Sequence, residues 1–80
     1  MKTYFISGGT GSFGKELASV LIKMNMAKKI IIFSRDEFKQ DQMKKISIFQ
    51  KNKNKMRYFI GDVRDKNRLT QAMRENNIDI

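Results

Sequence analysis

The residues best placed to do chemistry lie in one run, Ser7-Gly8-Gly9-Thr10-Gly11-Ser12-Phe13-Gly14, which satisfies the spacing G-x-G-x-x-G from Gly9 and G-x-x-G-x-x-G from Gly8. The chemistry such a run can do is anion binding. Missing Cβ atoms let the chain turn sharply, let the backbone approach a pyrophosphate, and let the following helix pack close. The free N–H groups and positive dipole end of that helix then face the anion. Thr10 and Ser12 add hydroxyl donors. Glycines clustered in a turn can be no more than a turn. This cluster gains meaning because it follows a strand-like stretch and opens a helical one, within a unit of about 30 residues. Gly8, Thr10, Gly11, Ser12, Phe13 and Gly14 are therefore the first candidate contacts.

A second candidate group is Ser34-Arg35-Asp36 with Lys39, about 20 residues past Gly14, where a carboxylate would bind the ribose 2′-hydroxyl of NAD. A serine followed by an arginine suits a 2′-phosphate instead, because the hydroxyl donates and the guanidinium forms a charged pair. Lys39, about one helical turn on, can reach the same phosphate. The reading therefore favours NADP over NAD. The plainer alternatives are a solvent-facing charge for Arg35 and a helix N-cap for Asp36, and the cap is preferred for Asp36. A third group, Asp62 and Val63, follows a strand. There a carboxylate can accept from an adenine amino group while Val63 packs on the ring; the alternative is a turn aspartate after Gly61.

Composition excludes other chemistry. With no Cys and no His there is no disulfide, thiolate metal site, cysteine nucleophile or imidazole base, so no metal site is expected and a reducing, cytoplasmic setting fits. Few residues precede the first glycine, which leaves no room for a signal peptide, and no apolar run nears the roughly 20 residues that span a bilayer. Net charge is +9, from 17 Lys and Arg against 8 Asp and Glu, which attracts phosphates of any kind. The densest basic stretch, Lys44 to Arg57, is interleaved by Asn52 and Asn54, with no aromatic between Lys51 and Arg57. It reads as a solvated helix end and loop. A stand-alone basic module for nucleotides or nucleic acid remains the rival class, disfavoured by that lack of aromatics.

These groups need elements to hold them. Eighty residues make one domain at most, burying only about 60% of the surface an unfolded chain exposes. Thr3 to Ser7 is a short apolar run ending at glycines, a buried strand. Phe13, Leu17, Val20, Leu21 and Met24 recur at helical spacing and predict one buried face. Ile30 to Phe33 is an unbroken run, the pattern of a parallel strand covered on both faces. Phe38, Gln42, Met43, Ile46 and Phe49 trace a second helical stripe. Met56 to Ile60 gives a third strand, closed by Gly61. Asp65 N-caps a third helix with inner face Leu69, Ala72 and Met73, stopped by Asn76 and Asn77. Ile78 to Ile80 begins a fourth strand. The fold class is α/β: β-α-β-α-β-α, the first half of a Rossmann-type doubly wound parallel sheet truncated at the start of strand 4. In the order 3-2-1-4, loss of strand 4 is expected to leave Thr3 to Ser7 unpaired along one edge.

The chain resembles the extended short-chain dehydrogenase/reductase family, within it the UDP-N-acetylglucosamine 4,6-dehydratases of the polysaccharide-biosynthesis group. Three stretches carry the resemblance: Gly8 to Leu17, Ile32 to Gln40 and Phe59 to Asp65. The run Ser34-Arg35-Asp36-Glu37 is its most specific part, whereas the glycine loop fits any nucleotide-sugar epimerase or dehydratase. Ser7 departs from the pattern, standing where threonine is common. The resemblance implies a tightly held NADP that takes a hydride from C4 of the sugar, permits loss of water across C5 and C6, and returns the hydride to C6. It further implies a UDP-sugar substrate, a homo-oligomeric parent enzyme and a Tyr-x-x-x-Lys pair beyond Ile80, so no residue of this chain is expected to be catalytic and the 80 residues alone are expected to be inactive. Tyr4 and Tyr58 lie in strands and neither has a Lys four positions on. A sister 4-epimerase or reductase shares the loop.

Overall fold

The computed structural model describes all 80 residues. Three strands, β1 (Lys2–Ser7), β2 (Ala27–Ser34) and β3 (Met56–Ile60), form a parallel sheet in the order β1-β2-β3. Helix α1 (Ser12–Lys23) joins the first pair, helices α2 (Glu37–Lys44) and α3 (Ser47–Lys51) with a 3-10 turn at Lys53–Lys55 join the second, and α4 (Lys66–Asn76) follows β3. The alternation and the parallel sheet are those expected. Register brings Ser7 beside Phe33 and Ser34 beside Ile60. Gly8 N then donates to Phe33 O at 2.8 Å and Gly61 N to Ser34 O at 2.9 Å. All three strands therefore end together, and the turns that leave them share one edge.

β2 is central, and Ile30, Ile31, Ile32 and Phe33 have no exposed surface. On one sheet face Ile6, Ile30, Ile32 and Met56 pack with Ala18 and Leu21 of α1, Met43 of α2 and Phe49 of α3. On the other, Phe5 lies 5.6 Å from Phe33, and Arg68 of α4 stands 5.3 Å over the Phe59 ring. Both faces of β2 are covered, which is why its sequence is continuous rather than alternating.

Four expectations need correction. Helix α1 buries Gly14, Ala18 and Leu21, while Phe13, Leu17, Val20 and Met24 are exposed. The buried stripe lies one residue over from the apolar one, about 100° around the helix, because small residues allow close approach to the sheet. The second helix is broken: Ile46 is extended (φ −67°, ψ 133°) and its carbonyl starts α3, accepting from Phe49 and Gln50 at 3.0 and 2.9 Å. Six residues apart on one helix, Met43 and Phe49 would point about 120° apart; the break lets both reach the core, and leaves Phe38, Gln42 and Ile46 exposed. In α4 the inward residues are Ala72 and Asn76, with Met73 41% exposed. Asn76 is held by its own Nδ2 donating to Ala72 O at 2.6 Å, and left-handed Asn77 ends the helix.

The fourth correction concerns the β1 edge, which is paired in part. Asp79 N and Ile80 N donate to Thr3 O at 2.9 and 3.1 Å, Phe5 N donates to Ile80 O at 2.6 Å, and Thr3 N donates to Asp79 Oδ2 at 2.8 Å. The chain thus returns beside β1 as a strand would. No helix is long and apolar enough to cross a membrane. The basic stretch closes on itself: the Arg57 guanidinium donates to Asn54 O and Met56 O at 3.0 and 2.8 Å, and Lys45, Lys51 and Lys53 are exposed.

Candidate functional site

The glycine loop turns on Gly8, whose φ of +65° lies in the left-handed region where L side chains are strained. Gly11 N donates to Gly8 O at 3.1 Å, closing the turn, and Lys15 N donates to Gly11 O at 3.0 Å, starting α1. Loop and helix touch at Gly14, where a Cβ would stand 2.5 Å from Gly9 Cα. The other two helices of comparable length are capped by aspartates: Asp36 accepts from Lys39 N at 3.0 Å and Asp65 from Arg68 N at 3.1 Å. That settles Asp36 as the helix cap. Helix α1 has Gly11 in the capping position, no side-chain cap and no acid in its first turn, so its leading amides are unclaimed by any side chain.

Two neighbouring hollows receive the candidates. A cleft of about 370 Å³ at the carboxyl ends of the strands is lined by Gly8, Ser34, Arg35, Asp62 and Val63, together with Phe33, Gly61 and Arg64. A smaller one of about 190 Å³ is lined by Thr10, Gly11, Ser12 and Lys39, with Lys15 beside them. The glycine, serine-arginine and aspartate-valine groups, far apart in the chain, thus meet at one edge. Phe13 and Gly14 line neither hollow: Phe13 is 80% exposed, and Gly14 is buried against Gly9.

Asp62 organises the charge. Arg64 grips its carboxylate with Nε at 3.1 Å from both oxygens and Nη2 at 2.7 Å from Oδ2, and the Arg64 backbone N–H adds a bond of 2.9 Å to Oδ1. Arg35 Nη1 lies 3.6 Å from the same Oδ2. These donors hold the Asp62 carboxyl well below the usual carboxylate range, the Arg64 side-chain bonds most of all, and the Asp62 carboxylate in turn pushes the Arg64 guanidinium up. One carboxylate against two guanidinium groups leaves the cleft positive. Arg35, 72% exposed and held only by the longer contact, is the cation free to turn toward a ligand.

Ser34 is buried to 8% exposure and backed by Gln40, which is 2% exposed. Gln40 Nε2 donates to Ser34 Oγ at 3.0 Å and to Phe59 O at 2.8 Å, tying the ends of β2 and β3. Sequence reading missed Gln40 and Arg64. The signal for Arg64 was the Asp-x-Arg spacing, which allows an aspartate to bond the backbone two residues on. The signal for Gln40 was its place three residues before Met43 on the inward stripe of α2. No cluster of three or more His, Cys, Asp or Glu side chains is present.

Residues 4–80 match the family model described as "Polysaccharide biosynthesis protein". The chain belongs to that family. It is similar to the UDP-N-acetylglucosamine 4,6-dehydratase (inverting) of Campylobacter jejuni subsp. jejuni serotype O:23/36 (strain 81-176), with 60% identity over 74 residues, 92% of this chain and 21% of that protein. It is also similar to the UDP-glucose 4-epimerase of Rickettsia prowazekii (strain Madrid E), with 45% identity over 75 residues, 90% of this chain and 21% of that protein. The chain thus spans about one fifth of the length of these curated relatives. Among solved structures, that of Pen from Bacillus thuringiensis superposes with a TM-score of 0.83 at 36% identity, covering 98% of this chain and 23% of that one. A shared fold and the nucleotide-sugar-modifying character of these relatives agree with the edge site.

Proposed function

We propose that this chain forms the adenosine and phosphate-binding part of an NADP-dependent nucleotide-sugar 4,6-dehydratase acting on a UDP-sugar in polysaccharide or glycan biosynthesis. The observation that carries the reading is the meeting of Gly8, Ser34-Arg35 and Asp62-Val63 in one cleft. The residues suit the group. Turn and helix amides face a pyrophosphate, with Thr10 and Ser12 as added donors. Ser34 and Arg35 offer a hydroxyl and a cation to a 2′-phosphate, and Lys39 stands instead in the smaller hollow with Thr10 and Ser12. Val63, 51% exposed, gives adenine an apolar wall, and Asp62 holds Arg35 near the ribose side. When bound, the nicotinamide supplies the hydride acceptor and donor. This chain's residues bind and orient the cofactor's other end, so we assign no residue between Met1 and Ile80 to the chemical step, expect the chain by itself to be inactive, and place the parent enzyme in the cytoplasm as a homo-oligomer.

Fluorescence titration with NADPH and NADH tests the cofactor assignment. NADPH is expected to bind about tenfold or more tightly than NADH, and Arg35→Ala to remove most of that preference. Equal affinity for both, untouched by Arg35→Ala, would refute it. The epimerase similarity supports a second reading, a nucleotide-sugar 4-epimerase. Proton NMR of UDP-N-acetylglucosamine incubated with the full-length protein separates the two: a 4-keto-6-deoxy product supports the dehydratase, and a C4 epimer the alternative.

A further inference from the structure

Gln40 lies outside every cofactor contact proposed above, yet it is among the most buried polar side chains of the molecule and bonds Ser34 of the cleft wall. Its orientation is fixed by chemistry. Phe59 O can only accept, so the amide nitrogen and not the oxygen must face it, and the same nitrogen's second proton goes to Ser34 Oγ. A serine hydroxyl has one proton and two lone pairs. Because Gln40 Nε2 can only donate, it occupies a lone pair, and the Ser34 proton is left for a partner on the cleft side. The Ser34 carbonyl is held as well, by Gly61 N at 2.9 Å, so the residue can neither withdraw nor turn.

We infer that Gln40 is a positioning residue for nucleotide recognition: its buried amide ties β2 to β3 and sets Ser34 as a hydrogen-bond donor toward the 2′-phosphate. This rests on the cofactor reading proposed above and extends it to how selectivity between the two nicotinamide dinucleotides is built. Helix α2, capped by Asp36, carries Gln40 at a fixed height above the sheet, so the β2–α2 turn between Ser34 and Gln40 acts as one rigid bracket. An apolar side chain of similar length would fill the space but leave the Ser34 hydroxyl without the donor that fixes where its own proton points.

The test uses Gln40→Met, Ser34→Ala and the double variant in the full chain, each titrated with NADPH and NADH. Expected is a loss of about tenfold in NADPH affinity for Gln40→Met, equal to 1.4 kcal/mol, with NADH affinity held within about threefold. The double variant should match Ser34→Ala alone, since both act through one hydroxyl. Equal losses for both nucleotides, or additive effects in the double variant, would show a merely structural role and overturn the inference while leaving the cofactor reading intact. If the parent protein does not prefer NADPH, or Ser34→Ala leaves its preference unchanged, the reading of the site falls and this inference with it. A measurement on the unmutated chain covers the case in which Gln40→Met does not fold: by NMR, the Gln40 side-chain amide protons should exchange slowly, and one of them should quicken in Ser34→Ala. Exchange as fast as at surface glutamines would overturn the bracket.

Discussion

The fold displaces the protonation of Asp62 and, beyond its partner Arg64, that of Tyr58, in opposite directions for different reasons. Arg64 and Arg35 hold Asp62 below its unfolded value of about 3.9. Its contribution to stability is therefore complete above about pH 4 and lost as pH falls below that. Across the working range Asp62 stays charged, so it contributes no pH dependence to cofactor affinity, whereas a bound phosphate does. A 2′-phosphate takes a proton near pH 6. NADPH affinity should accordingly weaken between pH 7 and pH 5 while NADH affinity stays level, as titrations at fixed ionic strength would reveal; a parallel fall for both nucleotides would locate the titrating group in the protein. Tyr58 presents the opposite case. Burial pushes its hydroxyl up to about 12, no protein group bonds that hydroxyl, and Lys44 Nζ sits 5.0 Å above the ring. Its ionisation costs no stability below pH 10 and lowers stability as pH rises from there toward 12, because the unfolded chain ionises first. Tyr58→Phe should raise stability at neutral pH by about 1 kcal/mol and flatten the alkaline decline, both measurable by urea unfolding.

At the scale of elements, the glycine loop divides into glycines that build and glycines that receive. A Cβ on Gly14 would strike Gly9 backbone at 2.5 to 2.8 Å, whereas one on Gly11 would meet only Gly8 O at 3.5 Å. Gly14→Ala should cost about 3 kcal/mol, because α1 must lift away from the Gly9 backbone. Gly11→Ala should cost under about 1 kcal/mol yet, on the cofactor reading proposed above, weaken NADPH binding by setting a methyl on the phosphate side of the loop. Unfolding curves and titrations on the pair would separate the roles, and equal stability losses would contradict them. On the β1 edge, Asp79→Ala removes the acceptor for Thr3 N and should cost about 1 to 2 kcal/mol. Much of this was legible in the sequence. Ile30 to Phe33 and Met56 to Ile60 announced their strands by composition, and Asp36 and Asp65 their caps. What was not legible was any choice between stripes. Gly14 and Ala18 carry little hydrophobic signal, so Leu17 and Val20 outweighed them, although close packing rewards the small residues. The Ile46 break arises from the needs of Met43 and Phe49 together, a tertiary demand that local periodicity does not encode. Gln40 was invisible for a related reason: a polar residue on an inward stripe looks like an exposed one until its partners are in place.

For the whole molecule, the question is whether a net charge of +9 serves the cleft or something else, and the sheet answers it by distance. The 3-10 turn Lys53–Lys55 lies at the amino end of β3, and the cleft lies past its carboxyl end. Five residues of strand separate them, roughly 15 Å at about 3.3 Å per residue. The screening length is about 10 Å at 0.1 M salt. The basic turn and the cleft are therefore electrically separate near physiological ionic strength, and a phosphate in the cleft feels chiefly Arg35 and Arg64. A polyanion, spanning many charges, would feel both ends. It follows that Lys45→Gln, Lys51→Gln and Lys53→Gln combined should leave NADPH affinity within about twofold at 0.1 M salt while reducing whatever affinity the chain has for single-stranded RNA. Arg35→Ala should lower NADPH affinity far more than RNA affinity. Polynucleotide affinity should fall steeply with salt, each released counterion adding to the slope, and NADPH affinity only shallowly, because one ligand engages few cations. Titrations of both ligands across a salt series decide the matter. Tight RNA binding that competes with NADPH and is lost with Arg35 would make the cleft a nucleic-acid site and displace the dehydratase reading.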